Sequence, residues 1–239
     1  MISFCSESGY KIVSHLSNAT SCSLLKQVAS DTLLPLEVFK DDSKCYVAKY
    51  TSEVVPDIFI IKKPRARCKR YWERFLTLFR PGESFRQFSN LKKLQALGFK
   101  GPAPLLAAEK RRWGMVVDSL LISTYINGRL ATSTDVDVVA PELINLLNLG
   151  FTRKDPHPQN FIIAPDGVYF IDFHIKKPFF FNKLRCCMEY CKFLETVPSG
   201  LRYIDCLTRS NTLYSLANFL QRYLSSYRRL RRRISKRLK

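Results

Sequence analysis

Three polar side chains bracket a hairpin-like pattern in the second half of the sequence. Asp155 and Asn160 precede the apolar run 161–163, and Asp172 follows the run 168–171. The residues Ala-Pro-Asp-Gly between the runs are typical of a turn, so the pattern predicts two short antiparallel strands. A hairpin requires only its turn residues, so the three polar residues need another explanation.

These side chains have the types that phosphoryl transfer to an alcohol requires. Asn and Asp oxygens are hard ligands suited to Mg²⁺, which keeps waters and substrate phosphates at its remaining positions. The second strand would return Asp172 to the side of Asn160, and Asp155, held off the metal, can orient a hydroxyl and accept its proton. The spacing therefore predicts Asp155 as a general base, with Asn160 and Asp172 as metal ligands in the same cleft.

The elements that position this hairpin follow from apolar periodicity. The first half predicts mainly strands, with one longer helix that carries Phe85, Phe88, Leu91 and Leu94 on one face and ends near Gly98. The second half predicts the hairpin within a series of helices. The order indicates an α+β chain with two lobes. The predicted elements are a short helix in 21–29, strands in 36–40, 44–50, 57–63, 101–110 and 113–126, a helix from Thr134 or Asp135 to Gly150, and helices after 181.

The charge of the chain predicts an anionic partner, which could be a nucleotide, a nucleic acid or an acidic lipid. The 239 residues carry a formal net charge of +19. Seven basic residues lie in 62–74 against one acid, and eight lie in 228–239 with none. Either run alone would be consistent with a solvated face, but the two together indicate a binding surface.

The sequence predicts a cytoplasmic protein. No apolar stretch approaches the ~18–20 residues needed to cross a bilayer, and the first residues do not have the pattern of a secretory signal. The eight cysteines are therefore expected to be reduced thiols, mostly buried.

The hairpin segment resembles a known family. The stretch DPHPQNFII…VYFIDFH is similar to the catalytic segment of the protein-kinase-like fold, in which Asn follows Asp by five residues and an Asp-Phe pair comes later. Its Asp-x-His-Pro-x-Asn form resembles the branch with aminoglycoside, choline and sugar kinases. Within this branch the chain most resembles the lipopolysaccharide core heptose kinases, a likeness that extends through EVFKDDSKCYVAKY and LKKLQALGFKGPAP and covers about 36–173.

This resemblance implies a bilobal protein-kinase-like fold that uses ATP and Mg²⁺. Residues 1–124 would be the small β-rich N-terminal lobe with the nucleotide-binding strands, and 125–239 the mainly helical catalytic lobe. Asp155 matches the catalytic base, and Asn160 and Asp172 match the metal ligands. Lys62 matches the lysine that holds the α- and β-phosphates, because FIIK fits the family pattern, with Lys63 as the rival. Strand side chains alternate between faces, so only one of these two lysines can point into the cleft.

Two departures from the family concern the nucleotide lobe. No glycine occurs between Gly9 and Gly82, so the glycine-rich phosphate cover is absent and the turn KDDSK must serve, with backbone N–H groups or Ser43 over the phosphates. Where the helix should carry a Glu to pair with the lysine, the sequence has Gln87, with Glu83 one turn earlier as the substitute.

Further departures surround the base. Arg153 stands two residues before Asp155, where the family has a His or an equivalent residue, and cations there should help to keep Asp155 ionised. His157 is expected to brace the loop. The Asp-Phe-Gly triplet is Asp172-Phe173-His174, without the flexible glycine.

The resemblance implies an ATP-dependent kinase that phosphorylates a sugar hydroxyl, heptose in this interpretation, of the lipopolysaccharide inner core. Its partners would be this lipid-linked acceptor and the anionic inner-membrane surface, reached through the basic C-terminal segment, which would place a cytoplasmic enzyme peripherally on that membrane. No nucleic acid partner is expected. Two alternatives remain open: a Kdo or small-molecule kinase of the aminoglycoside or choline type, and a non-catalytic basic membrane-binding protein on a kinase-like scaffold.

Overall fold

The structure is a computed structural model that describes residues 2–5, 9–65, 71–172, 174–208 and 210–237. Part of the first basic run (66–70), Phe173 of the triplet and 238–239 lie outside the described residues. The chain divides into two compact units, Met1–Asn127 and Gly128–Lys239. The first is rich in strands and the second is mainly helical, which confirms the predicted α+β class.

The first unit is built on an antiparallel seven-stranded sheet. Its strand order is β1-β2-β6-β7-β5-β4-β3. The sequence predicted five of these strands, and the structure adds the pair β1 and β2 at the edge beside β6. It also adds a short helix, α2. The elements are β1 (Ile2–Cys5), β2 (Tyr10–Ser14), α1 (Asn18–Ala29), β3 (Glu37–Asp41), β4 (Tyr46–Ser52), β5 (Val55–Lys63), α2 (Tyr71–Leu76), α3 (Glu83–Ala96), β6 (Pro104–Arg112) and β7 (Met115–Thr124).

Each face of this sheet packs against one helix. Leu24, Leu25 and Val28 of α1 pack on one face in a cluster that includes Phe59 and Ile61 of β5. On the other face, α3 packs Phe88 and Leu91 against Ala107 and Leu121. The apolar face predicted for this helix is therefore the one that covers the sheet, because residues three and four apart share a helix face.

The second unit surrounds a small three-stranded sheet with helices. Its strand order is β10-β9-β8, with the predicted hairpin as β9 and β10. Asp135 is the N-cap of α4, and its carboxylate closes a capping box with Thr132. The elements are β8 (Arg129–Leu130), α4 (Val136–Asn148), β9 (Phe161–Ala164), β10 (Gly167–Phe170), α5 (Asn182–Leu194), α6 (Ile204–Leu207) and α7 (Asn211–Arg237), with 3₁₀ turns at Ser133–Asp135, Pro158–Asn160 and Pro198–Tyr203.

The long helix α7 is amphipathic. One side packs on α5, where Cys187 and Cys191 meet Ala217 in a buried cluster. The other side exposes an apolar stripe with three- and four-residue spacing. Its members are Leu216, Phe219, Tyr223, Tyr227 and Leu230. Among the described residues, no helix is both long and apolar enough to span a membrane.

Candidate active site

The loop before β9 holds Asp155 and Asn160 in a fixed relation. Residues Pro158–Asn160 form one 3₁₀ turn, and the backbone N–H of Asn160 donates to the carbonyl of His157 at 2.9 Å. The side-chain Nδ2 of Asn160 donates to the backbone carbonyl of Asp155 at 2.9 Å. Because the amide nitrogen is used in this bond, the amide presents its oxygen Oδ1 as an acceptor.

The hairpin brings Asp172 back to the same end. β9 and β10 pair Phe161 with Phe170, and the N–H of Ile171 donates to the carbonyl of Asn160 at 3.0 Å. Asp172 therefore lies one residue beyond the position opposite Asn160. It is exposed and adopts a left-handed backbone conformation (φ 49°), which is uncommon for a residue with a side chain.

Arg153 is the buried support of this loop and hairpin. Only 2% of the residue is exposed, and its Nη2 donates to the carbonyls of Asn160 (3.3 Å) and Ile171 (3.2 Å). Its guanidinium lies over the ring of Phe161, 4.3 Å from the centroid. Burial lowers the pKa of Arg153 to about 10, and the nearby carboxylates Glu189, Asp155 and Asp172 oppose this shift. Arg153 therefore remains charged at neutral pH and attracts all three acids.

Helix α5 fixes the loop from the other side. Glu189 accepts the backbone N–H groups of Arg153 and Lys154, the latter at 3.1 Å. Burial raises the pKa of Glu189, and these hydrogen bonds partly offset the shift. Three residues later, Lys192 donates to Asp155 Oδ1 at 2.8 Å and to the carbonyl of Lys154 at 3.0 Å. Lys154 itself has a left-handed backbone (φ 77°), and these contacts hold that conformation.

The donor set of this end suits a magnesium ion. It contains an amide oxygen on Asn160 and an exposed carboxylate on Asp172, and Mg²⁺ prefers few protein oxygens with waters and phosphates in its other positions. No group of three His, Cys, Asp or Glu side chains among the described residues could form a protein-only metal cage. One amide oxygen and one carboxylate are the kind of donor set that an ion shared with substrate phosphates uses.

In the first unit, the sheet register separates the two candidate lysines. Lys62 lies opposite Val47 and Leu121, and Leu121 belongs to the face that α3 covers. Lys63 lies opposite Tyr46, which packs against the α1 face. Both lysines are half-buried. Lys62 therefore shares a face with α3 and Lys63 does not.

Glu83 and Gln87, the two candidates on α3, are in contact with each other. Both are 7% exposed, and Gln87 Nε2 donates to Glu83 Oε1 at 3.0 Å. The second oxygen of Glu83 accepts from Arg86 at 2.9 Å. One side of α3 thus carries a carboxylate and an amide that are hydrogen-bonded to each other.

Ser43 lies exposed at the tip of the turn between β3 and β4. The carboxylate of Asp42 organises this turn by accepting the backbone N–H groups of Lys44 and Cys45, both at 2.7 Å. Those two N–H groups are therefore already hydrogen-bonded within the turn. They are not free to donate to phosphates, as the sequence-based expectation for this turn would require.

His157, expected to brace the loop, is the N-cap of the 3₁₀ turn, and its Nδ1 accepts the N–H of Gln159 at 3.3 Å. The sequence reasoning did not identify Glu189 and Lys192. Their spacing of three places them on one face of the predicted helix, but the sequence carries no signal that this face meets a loop about 35 residues away.

Comparison with solved structures gives the fold. No protein-family profile and no curated protein sequence matches this chain. A structure of WaaP in complex with acyl carrier protein aligns over 83% of this chain and 92% of its own, with a TM-score of 0.53 and 12% identity. The chain has a protein-kinase-like fold.

Two protein kinases align with this chain at lower TM-scores. They are the MAP kinase LmaMPK10 from Leishmania major, with a TM-score of 0.42 over 75% of this chain and 62% of its own, and the PknI kinase domain from M. tuberculosis, with a TM-score of 0.37 over 59% and 57%. Each is 12% identical. The alignment with the WaaP structure confirms the fold predicted from the catalytic segment.

Proposed function

We propose that this kinase-like chain is an ATP-dependent phosphotransferase that phosphorylates a heptose hydroxyl of the lipopolysaccharide inner core. The proposal rests mainly on the bond between the Asn160 amide and the Asp155 carbonyl, because it fixes a candidate metal ligand relative to the candidate base. The hairpin register, in which Ile171 lies opposite Asn160, supports a position for Asp172 near Asn160. These are the groups that phosphoryl transfer needs, and catalysis of this reaction is mostly positioning and charge neutralisation.

In the proposed reaction, Asp155 orients the sugar hydroxyl and accepts its proton as the oxygen attacks the γ-phosphorus and the bond to ADP breaks. Asp155 Oδ1 is bonded to Lys192, so we assign proton acceptance to Oδ2. Asn160 Oδ1 and the Asp172 carboxylate would hold Mg²⁺, which when bound neutralises charge on the phosphates. Lys62 would hold the α- and β-phosphates.

The acceptor is assigned from the sequence resemblance to heptose kinases and from the charge of the chain. Such an acceptor is attached to lipid at an anionic surface. Residues 228–237 of the second basic run form the end of α7, and the exposed stripe reaches Leu230 within them. A basic helix with an apolar stripe binds an anionic interface, and each basic residue near the surface contributes about 1 kcal/mol. We therefore propose a cytoplasmic enzyme that is peripheral on the inner membrane.

The central test is transfer of labelled phosphate from ATP to core lipopolysaccharide that lacks phosphate, in the presence of Mg²⁺. Asp155→Asn should lower the rate by about 10²–10⁴-fold, because a general base contributes that much. The Asp155 side chain is 66% exposed, so the variant should fold normally. Asp205→Asn, at another exposed carboxylate, is the control. Equal rates for wild type and Asp155→Asn would reject Asp155 as the base.

A second measurement separates the two lysines of β5. Lys62→Met should lower transfer by about 10²-fold, because a positioned cation on the phosphates is lost, whereas Lys63→Met should have little effect. The opposite order would show that the nucleotide binds on the α1 face. An acceptor panel with free Kdo, aminoglycosides and choline addresses the alternative substrates, since transfer to one of them but not to heptose would favour a small-molecule kinase.

One observation favours a second candidate, a non-catalytic membrane-binding protein on a kinase-like scaffold. In the turn between β3 and β4, Asp42 occupies the N–H groups of Lys44 and Cys45, where a phosphate cover would need free donors. Thermal unfolding with and without ATP and Mg²⁺ discriminates the two, because a ligand that binds the folded state raises the transition temperature. No shift at saturating nucleotide would favour the scaffold.

A further inference from the structure

The segment between the hairpin and α5 exposes three consecutive phenylalanines. Phe179 is 90% exposed, Phe180 is 66% exposed and Phe181 is 76% exposed. Phe179 and Phe180 contact each other edge to face at 4.8 Å. Large apolar side chains with this exposure are unfavourable in water, and contiguous apolar surface of this kind marks an interaction site.

The chain holds this segment, here called the Phe loop (176–182), in a defined conformation. At its start, Lys176 and Thr152 exchange two backbone hydrogen bonds, at 2.8 and 2.9 Å. At its end, Asn182 Nδ2 donates to the carbonyls of Gly150 (2.8 Å) and Pro178 (3.1 Å). Both ends are therefore hydrogen-bonded to residues 150–152, which end three residues before Asp155. Hydrogen bonds at both ends thus hold the Phe loop, with its exposed rings, next to the candidate catalytic loop.

Charge indicates what this surface contacts. Lys176, Lys177 and Lys183 lie in or next to the Phe loop, and the sequence 174–183 contains no acid. Lys176, Lys177 and Lys183 are exposed, and Lys177 lies over the ring of Phe151, 5.3 Å from its centroid. Aromatic rings among lysines match the interface of an anionic bilayer, where rings enter the headgroup region and the ammonium groups meet lipid phosphates.

The local geometry favours a lipid surface over a protein groove. The three rings belong to consecutive residues outside any helix or strand, and Phe181 has a left-handed backbone (φ 52°). They therefore do not follow the i, i+3, i+4 spacing or the alternation with which a helix or strand fills a groove. A fluid interface accepts rings that project in several directions.

We propose that the Phe loop inserts into the interface of an anionic membrane and brings the loop at Asp155 to the membrane surface. The Phe loop (176–182) shares no residue with the basic end of α7. That the membrane also carries the acceptor rests on the proposed function, but the insertion itself does not.

Vesicle binding tests the insertion without nucleotide or acceptor. The full chain is sedimented with phosphatidylglycerol–phosphatidylethanolamine vesicles and with phosphatidylcholine vesicles, at low and high salt. At high salt, where charge attraction is screened, Phe179→Ser/Phe180→Ser/Phe181→Ser should bind anionic vesicles at least ~10-fold more weakly than wild type. Val138→Ser/Leu201→Ser, which removes two exposed apolar side chains elsewhere in the same unit, should bind as wild type does. Equal binding by the triple variant would overturn the proposal.

A local probe distinguishes the Phe loop from α7 and does not depend on the folding of the triple variant. The chain has two tryptophans, Trp72 and Trp113, so Trp72→Phe/Trp113→Phe/Phe180→Trp carries a single reporter in the Phe loop. Its emission should shift to the blue and be quenched by brominated acyl chains when vesicles are added. If the protein binds the vesicles but its emission does not change, the Phe loop does not insert and the proposal is wrong.

Two other outcomes would also overturn it. A blue shift that follows protein concentration instead of vesicles would mean that the Phe loop joins two copies of the chain. A shift produced by an acidic carrier protein but not by vesicles would assign the surface to a protein partner.

If the Phe loop inserts but no phosphate is transferred, the proposed function is wrong and the insertion still stands. If both hold, the triple variant should lose transfer to acceptor in vesicles and keep transfer to the delipidated sugar.

Discussion

The two units each contain a charged cluster, and the clusters differ in which charge is buried. At the start of α3 in the first unit, the acids are buried and each has an arginine neighbour. Glu83 is 7% exposed and bonded to Arg86, and Glu109 is fully buried and bonded to Arg111 at 3.1 Å. In the second unit the cation is buried, since Arg153 is 2% exposed, whereas Asp155 and Asp172 face solvent.

The two clusters therefore differ in how accessible their carboxylates are to solvent. A buried acid bonded to an arginine has its charge offset and its carboxylate shielded from solvent. A buried arginine can attract exposed carboxylates while their oxygens remain accessible to solvent. Burial of the cation instead of the acids thus leaves the carboxylates of the second cluster accessible.

Substitution of Arg153, the buried cation of the second unit, should lower the stability of the protein the most. Arg153→Met removes one of the two donors to the carbonyl of Asn160, removes the side-chain donor to the carbonyl of Ile171, and takes away one of the cations near Glu189. We expect the free energy of unfolding to fall by about 3–5 kcal/mol, as when one partner of a buried ionic network is lost. Chemical denaturation measures this change. Arg185→Met, at an exposed position of α5, is the control, and a similar loss in both variants would contradict the role of Arg153.

The network in the first unit is tested by one added charge. Gln87→Glu places a second carboxylate against Glu83, to which Gln87 now donates at 3.0 Å. We expect a loss of about 2 kcal/mol, because the donated bond is replaced by repulsion in a buried site. Gln95→Glu, on the exposed side of the same helix, should be neutral in the same measurement. An unchanged Gln87→Glu variant would show that the first cluster, too, is open to solvent or ligand.

A surface network should show the smallest effect. Arg129 lowers the pKa of Asp135, which also accepts from the backbone N–H of Thr132 in the capping box. Because the folded-state pKa is lowered, this stabilisation is present above the ordinary carboxyl pKa and is lost as pH falls through the folded value. Asp135→Asn should therefore cost about 1 kcal/mol at neutral pH and less in acid. Unfolding curves over a pH series check this, and a difference from wild type that grows in acid would refute it.

The sequence predicted the parts of the fold that local patterns determine. The hairpin turn, the apolar face of α3 and the cap at Asp135 are each encoded by neighbouring residues. The added pair β1 and β2 carried a weaker signal, since Tyr10 and Ile12 alternate with polar residues after Gly9, whose positive φ (68°) suits a turn.

Local sequence patterns could not predict the contacts of the residues that support the candidate site. Arg153 was predicted as a flanking cation, and its burial depends on two carbonyls from the ends of both hairpin strands. Glu189 and Lys192 act through contacts with Arg153, Lys154 and Asp155 that only the folded chain creates. The assignments of Asp155, Asn160, Asp172, Lys62 and the other candidate residues to catalysis and binding remain predictions.

Helix α5 links the loop to a distant part of the sequence. One side of it carries Glu189 and Lys192, and the other packs Cys187 and Cys191 against Ala217 of α7, which has no exposed surface. Close packing transmits small displacements, because interiors have few voids to absorb them. A side chain larger than alanine at position 217 would have to move α5, and the position of the Asp155 carboxylate would change with it, although that substitution lies more than sixty residues further along the chain.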